Sequence, residues 1–174
     1  MSHNLEIIQL TTPRLEIFPL KENQIRTYLE HPAALEIELG YPISRDILDT
    51  NVRRALRIKL IRMVDTPVED HRWLTYWLIK IKAETFGAGL IGFKGVPDQN
   101  GWTEIGYGID PAYWNQGYMT EAAGVMVKWA LTQPECTKVT ANETKNPASY
   151  RVLQKIGFTL VSENENGTTW HKPA

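Results

Sequence analysis

Residues Thr103 to Leu131 read TEIGYGIDPAYWNQGYMTEAAGVMVKWAL, and three patterns follow one another within them. From Thr103 to Asp110, Ile105, Tyr107 and Ile109 alternate with Glu104, Gly106 and Gly108, the period of a strand. Pro111 to Gln116 is a turn containing a proline and two aromatic residues. From Gly117 the period lengthens, and Met119, Ala123, Met126, Val127, Ala130 and Leu131 fall largely on one side of a helix. Strand, short loop and helix N-terminus in this order leave backbone N–H groups free at the junction. Such groups can hold a phosphate without a Lys or Arg. A glycine at such a junction also serves simple tight turns, and the stretch is neither a G-x-G-x-x-G fingerprint nor a Walker loop.

Upstream, Arg72 to Ala83 is rich in Trp, Tyr, Leu and Ile and reads as a strand. Thr85 to Lys94 (TFGAGLIGFK) is its Gly-rich antiparallel neighbour, and Thr103 opens the third strand of a meander. Leu5 to Leu20 is a first strand region closed by Pro19, and Asn23 to Glu30 a helix with Ile25, Tyr28 and Leu29 inward. His31-Pro32 interrupts that helix, and Tyr41-Pro42 is a loop. Ser44 to Met63 carries a drifting apolar stripe and reads as a long amphipathic helix. Its second half holds Arg53, Arg54, Arg57, Lys59 and Arg62, either a solvated face or a patch that meets an acidic partner.

Downstream, Cys136 to Ala141 is a strand reached through a helix, hence parallel to the Thr103 strand. Asn146 to Ile156 is a second helix with Pro147 at its first position, Val152, Leu153 and Ile156 inward, and Gly157 at its end. Phe158 to Val161 and Thr168 to His171 form a closing hairpin around Asn164 to Gly167. The expected fold is a mixed α/β sheet: antiparallel strands first, then a parallel strand beside them.

The 174 residues suit a single domain spanning 1–174, with enough apolar residues (43%) for a sizeable core. A formal charge of -1 gives no global field for nucleic acid or an acidic membrane, so neither is expected as a partner. Cys136 is the only cysteine and has no disulfide partner, which favours a reducing compartment, the cytoplasm. No run approaches a spanning helix and the N-terminus lacks a secretory pattern. His31, His71 and His171 lack metal-ligand spacing, and no metal site is expected. Edge strands near the C-terminus leave monomer and homodimer both open.

Taken together, several motifs resemble the GNAT superfamily of N-acetyltransferases, in particular the branch that acetylates ribosomal-protein N-termini. They are Thr12-Pro13-Arg14-Leu15, Gly89-Leu90-Ile91-Gly92, Glu104-Ile105-Gly106-Tyr107, Tyr113 to Ala122, and Asn146 to Phe158. The resemblance covers almost the whole chain. It implies a single-domain GNAT-like fold, with a mostly antiparallel central sheet splayed between its fourth and fifth strands and flanked by helices. Here those strands are Thr103 to Asp110 and Cys136 to Ala141. It implies acetyl-CoA as cofactor and direct acetyl transfer to a primary amine, a protein N-terminus or a small molecule. Backbone amides of Asn115, Gln116, Gly117, Tyr118, Met119 and Thr120 would wrap the pyrophosphate. Asn146 would cap its helix and help hold the pantetheine. Met119 stands where the family's loop usually has Gly or Ala, so its side chain is expected to point away from the anion. Core packing beneath the loop is the expectation for both Met119 and Trp114. Glu121 reads as structural.

Amine acetylation needs a neutral amine, a polarised thioester carbonyl and help for the departing thiolate. Glu104 is the candidate base: it shares a face with Gly106 and Gly108, whose missing side chains leave room for a ligand. The alternative is an exposed carboxylate at the sheet margin. A backbone N–H between Gly106 and Ile109 would meet the thioester oxygen. The tyrosine that usually acts as acid in this family is replaced here by Leu153. Ser149 matches a serine that the ribosomal-protein branch often places near the sulfur; a local backbone hydrogen bond is its other reading. Tyr150 lies about a hundred degrees further round the helix and cannot serve the same spot. The missing tyrosine motivates an alternative function, a catalytically weak or inactive CoA-binding or interaction module that retains the fold. Selectivity is expected in Ala33 to Met63 and in the hairpin.

Overall fold

Alternating and Gly-rich segments become the strands of one sheet. The computed structural model describes residues 8–174, so the expected strand start at Leu5 lies outside the described residues. β1 (Leu10–Thr11) and β2 (Leu15–Pro19) pair with each other, and β2 pairs with β3 (Tyr76–Ile81). β3, β4 (Phe86–Phe93) and β5 (Trp102–Ile109) form the expected antiparallel meander. β6 (Lys138–Thr144) runs parallel to β5, while β7 (Thr159–Asn164) and β8 (Gly167–Pro173) are the closing hairpin. The order across the sheet is β1-β2-β3-β4-β5-β6-β8-β7.

Helices cover both faces. α1 (Glu22–Glu30), α2 (Pro32–Leu39) and α3 (Thr50–Val64) bury Ile25, Tyr28, Leu35, Leu56 and Leu60 with Leu78 and Leu90 of the sheet. On the other face α5 (Tyr118–Leu131) sets Met119, Ala123, Met126 and Val127 against Ile17, Ile79, Ile91, Ile105 and Val139. α6 (Pro147–Lys155) adds Leu153 to the same core. Leu78 and Leu90 thus face one core while Ile79 and Ile91 face the other, as strand alternation requires.

β5 and β6 are splayed, as the fold class requires. Their register holds only for Trp102 with Lys138, Thr103 with Val139 and Glu104 with Thr140. Beyond that β5 continues to Ile109 without a β6 partner, while β6, paired with β8 from Lys138 onward, keeps only that neighbour to Thr144. On its other side β5 stays zipped to β4, from Phe93–Ile105 to Gly89–Ile109.

The chain departs from the sequence reading in three places, each with a local cause. Pro32 ends one helix and starts the next: it occupies the first turn of α2, where its missing N–H costs nothing. α2 closes at Gly40, φ +80°, whose N–H donates to the Glu36 carbonyl. The long helix begins at Thr50, not Ser44, because Asp49 is its cap and accepts from the Val52 N–H. Ser44 is drawn off to the sheet, its N–H donating to the Gly87 carbonyl at 2.7 Å. Finally, residues from His71 to Leu74 form a short helix, α4, and the strand starts only at Tyr76. That turn buries Trp73 in the core under α5 and Leu74 in the core under α1–α3.

Candidate active site

The loop between β5 and α5 behaves as an anion-binding concavity built from backbone. Asn115 (φ +60°) and Gly117 (φ +80°) both sit in the left-handed region, with Gln116 between them. Gly117 is the residue before the helix, and no side chain caps that end. Among the described residues, the first N–H after the loop with a protein acceptor is that of Glu121, which donates to the Gly117 carbonyl. The N–H groups from Asn115 through Thr120 have none, the free donors of a helix N-terminus joined to a turn.

Side chains hold this loop from behind. Arg14 Nε pairs with Glu121 Oε2 at 2.6 Å, and Arg14 Nη1 donates to the Gln116 carbonyl at 2.9 Å. The same guanidinium lies 4.3 Å from the centre of the Tyr118 ring. Thr12 Oγ1 and the Arg14 N–H also donate to Glu121. Burial pushes the Glu121 carboxyl up, but these donors and the Arg14 charge outweigh it and hold the pKa below the usual value. Glu121 is therefore structural and tied to the Thr12–Arg14 segment. The Arg14 clamp is absent from the sequence reading, where its motif carried no role. Its signal was an Arg beside a Pro at a strand start.

Met119 is 9% exposed and packs into the core, so its side chain leaves the loop amides clear. Trp114 does not pack beneath the loop, contrary to expectation. It is 59% exposed, and its indole N–H donates to the Ile109 carbonyl at 3.1 Å. Pro111 turns the chain outward at that point, and Asp110 fixes the turn by accepting from Ala112 N–H. The other Asp110 oxygen accepts from Ser44 Oγ at 2.7 Å, joining the loop to the segment before α3.

A cavity of about 740 Å³ runs from this loop through the splay to the α3 side of the sheet, within the size range of cofactor sites. Of the residues singled out from sequence, Ile109, Asn115, Gly117, Tyr118, Met119, Thr120, Asn146 and Ser149 line it, whereas Gln116 and Glu104 do not. Gln116 turns its side-chain amide to the Ala112 carbonyl. Asn146 caps α6 by accepting from the Ala148 N–H at 2.9 Å. Tyr150 points away, its hydroxyl donating to the Thr144 carbonyl. Leu153 is fully buried in the core.

Glu104 belongs to the last register pair before β5 and β6 separate. Its carboxylate is ion-paired with Lys94 and accepts from Asn142 Nδ2 at 3.0 Å. It shares the α3-side face with Gly106 and Gly108, beside which a methyl group would meet nothing within 4 Å. The peptide groups of β5 alternate too. Lys94 N–H donates to the Glu104 carbonyl and Asp110 N–H donates to the Ala88 carbonyl, so even-numbered residues face β4. The N–H groups of Tyr107 and Ile109 therefore face the splay.

At the α3 end the cavity is lined by Asp46, Ile47, Asp49 and Val52 with Tyr76 and Leu90 of the sheet. Neither aspartate is ion-paired among the described residues. The neighbouring basic cluster is divided: Arg54, Arg57 and Arg62 are exposed, as a solvated face requires, while Arg53 is half-buried and Lys59 buried. Arg53 donates to the Leu29 and Leu48 carbonyls, Arg62 to the Lys94 carbonyl and buried Lys59 to the Phe93 carbonyl. The hairpin residues Asn164 to Gly167 do not line the cavity.

The Tyr107 hydroxyl is a residue chemistry that sequence reading missed, having taken Tyr107 as an inward apolar position. It is buried, without a well-formed hydrogen bond among the described residues. Burial pushes its pKa up to about 12, with hydrogen bonding to nearby Ser149 a smaller opposing effect.

Comparison with known proteins bears on the family and the fold. Residues 14–159 match the acetyltransferase (GNAT) domain family. An uncharacterized N-acetyltransferase of Bacillus subtilis, YjdG, is 35% identical over 134 residues, covering 76% of this chain and 79% of its own. Among solved structures, the RimL ribosomal α-N-protein acetyltransferase in complex with coenzyme A superposes with TM-score 0.65 at 14% identity, over 95% of this chain and 98% of that one. A ribosomal-protein-serine acetyltransferase, so described, from Vibrio cholerae gives 0.64 at 13% identity, over 96% and 98%. At these identities the superpositions speak to fold alone. With the family model spanning most of its length, the chain belongs to the GNAT acetyltransferase family.

Proposed function

We propose that this protein moves an acetyl group from acetyl-CoA directly to a primary amine, as a single N-acetyltransferase domain over residues 1–174 acting in the cytoplasm. The observation that carries this reading is the run of free N–H groups from Asn115 to Thr120 opening into a splayed sheet. An anion of diphosphate size satisfies such donors, and pantetheine amides match the unpaired edge of β5. Bound there, acetyl-CoA supplies an acyl group activated as a thioester.

The chain's own groups divide the remaining work. The loop amides hold the pyrophosphate, with Asn146 and Ile109 along the pantetheine arm. Tyr107 and Ile109 N–H groups, facing the splay, polarise the thioester carbonyl. Glu104 takes the amine proton, directly or through water across the open space at Gly106 and Gly108. Ser149 donates to the departing sulfur. Asp46 and Asp49 draw an ammonium to the α3 end of the cavity.

This charge pattern favours a cationic acceptor over the acidic one that the basic cluster suggested. An α-amine, with a pKa of roughly 7.7, suits a base already held by Lys94, since it needs little help to become neutral. A protein N-terminus, the acceptor class of the ribosomal-protein branch, is thus the first acceptor to test, followed by small amines. The chain works as monomer or homodimer.

Calorimetry with acetyl-CoA, followed by thiol release over a panel of peptides and amines, tests the proposal. Tight binding with acceptor-dependent thiol release is expected; no binding and no thermal protection would dispose of it. A Glu104→Gln variant should lose kcat/KM most at low pH, and an unchanged profile removes the base assignment. The second reading, a binding module without turnover, is favoured by Leu153 at the place of the usual tyrosine. It predicts acetyl-CoA binding with no thiol release from any acceptor.

A further inference from the structure

Among the described residues only Arg72 Nε and the Tyr107 hydroxyl are buried side-chain polar atoms without a partner. Arg72 is otherwise engaged with Glu135 at 2.9 Å. Tyr107 has no such compensation, yet it lies with Ser149 in the cavity wall, on the splayed stretch of β5, and close enough for the Ser149 side chain to act on it. A buried hydroxyl left without a partner is disfavoured, and in a native structure it calls for a reason.

We propose that Tyr107 is a positioning residue for the leaving sulfur: its hydroxyl donates to Ser149 Oγ, and Ser149 in turn donates to the sulfur. This rests on the acetyl-CoA reading above. A serine hydroxyl turns freely and gives its hydrogen to whichever acceptor is nearest, including the backbone of its own helix. Accepting a hydrogen bond from Tyr107 occupies a lone pair of Ser149 and leaves its O–H to point into the cavity. It also strengthens that O–H as a donor, since hydrogen bonds in a chain polarise one another. The phenol stays protonated at every working pH because burial disfavours its anion. It is therefore a permanent donor. No proton leaves Tyr107: the amine loses one, the sulfur gains one through solvent, and the C–S electron pair departs with the sulfur as the C–N bond forms. The pair supplies from β5 and α6 what Leu153 cannot supply.

Tyr107→Phe and Ser149→Ala test this on the whole protein. In Tyr107→Phe, kcat should fall by about 10²-fold, the scale for losing donors aimed at developing charge. The melting temperature should change little, because the bond to Ser149 is not well formed in the unliganded protein and its loss costs at most about 1 kcal/mol. The readout independent of turnover is CoA affinity against pH. Wild-type protein should bind CoA up to about tenfold more tightly at pH 9 than at pH 7, as for a thiol pKa lowered by about one unit. Both variants should lose that slope, and desulfo-CoA should show none with any of the proteins. Wild-type slope and kcat in Tyr107→Phe overturn the pair while leaving the acetyltransferase reading intact. A large fall in melting temperature with the slope retained shows a purely structural hydroxyl and also overturns it. Failure of wild-type protein to bind CoA or desulfo-CoA overturns both.

Discussion

The two ends of the cavity are made differently. The end at α5 is backbone: two left-handed residues, a helix N-terminus and a row of N–H groups, all within a few consecutive positions. The end at α3 is side chain: Asp46, Asp49 and Val52 come from one segment and Tyr76 and Leu90 from two strands. A backbone site depends on local conformation, so it tolerates changes in side-chain identity as long as the turn survives. A side-chain site depends on how three helices settle on the sheet, so its lining can change without disturbing the backbone end.

Four substitutions would break or sharpen that contrast. Gly117→Val should have the largest effect. Valine is strained at φ +80°, and the loop amides lose their common target. We expect at least about 10²-fold weaker acetyl-CoA binding by calorimetry, about 2.7 kcal/mol, with the circular dichroism spectrum retained. Binding within a few-fold of wild type would mean that the concavity is not the anion site.

Lys59 probes the α3 side. Burial, reinforced by the Arg62 and Lys94 charges, pushes its ammonium down to about 7. Its folded pKa lies below the unfolded value, so between about pH 7 and about pH 10.4 the unfolded chain binds more protons. Stability from this group therefore rises with pH through that window, at a limiting slope of about 1.4 kcal/mol per unit. Denaturant melts of wild type minus Lys59→Met should show the rise, and parallel curves for the two proteins would refute it.

Arg14→Ala should be milder. The side chain is 43% exposed, so the stability loss should be about 1 kcal/mol. The KM for acetyl-CoA should rise several-fold as the loop loosens, with the acceptor KM unmoved. Glu121 adds a pH signature. Its depressed pKa contributes stability above the unfolded value of about 4.3, lost as pH falls through the folded one. That acid-side loss should shrink in Arg14→Ala. The smallest effect is expected for Asp46→Asn: an increase of about twofold to fivefold in KM for a cationic amine, weakened by salt, with acetyl-CoA binding unchanged. A shift in acetyl-CoA affinity here would show the two ends to be coupled, with Ser44–Asp110 as the obvious link.

What could be read without coordinates was whatever repeats or breaks locally. Alternation placed β5, a Gly-rich apolar run between turns placed β4, the 3.6-residue period and Gly117 placed α5, and Asn146-Pro147 announced the cap and first turn of α6. The candidate anion loop followed from those boundaries. Three residues resisted the same treatment because their roles are set by distant neighbours. Lys59 reads as a surface charge until Phe93 and Tyr76 are found around it. Trp114 reads as core until the turn at Pro111 carries it outward. Tyr107 reads as one more apolar position until its hydroxyl is seen buried beside Ser149.

The amino-acid order by itself thus determined the strand–loop–helix unit, the sheet that carries it and the family it resembles, because periodicity and backbone conformation are encoded over a few neighbouring residues. Only the tertiary structure decided which carboxylates line the α3 end of the cavity, where β5 parts from β6 and which hydroxyl is left without a partner. Those depend on burial and on contacts between segments tens of residues apart, and no local pattern records them.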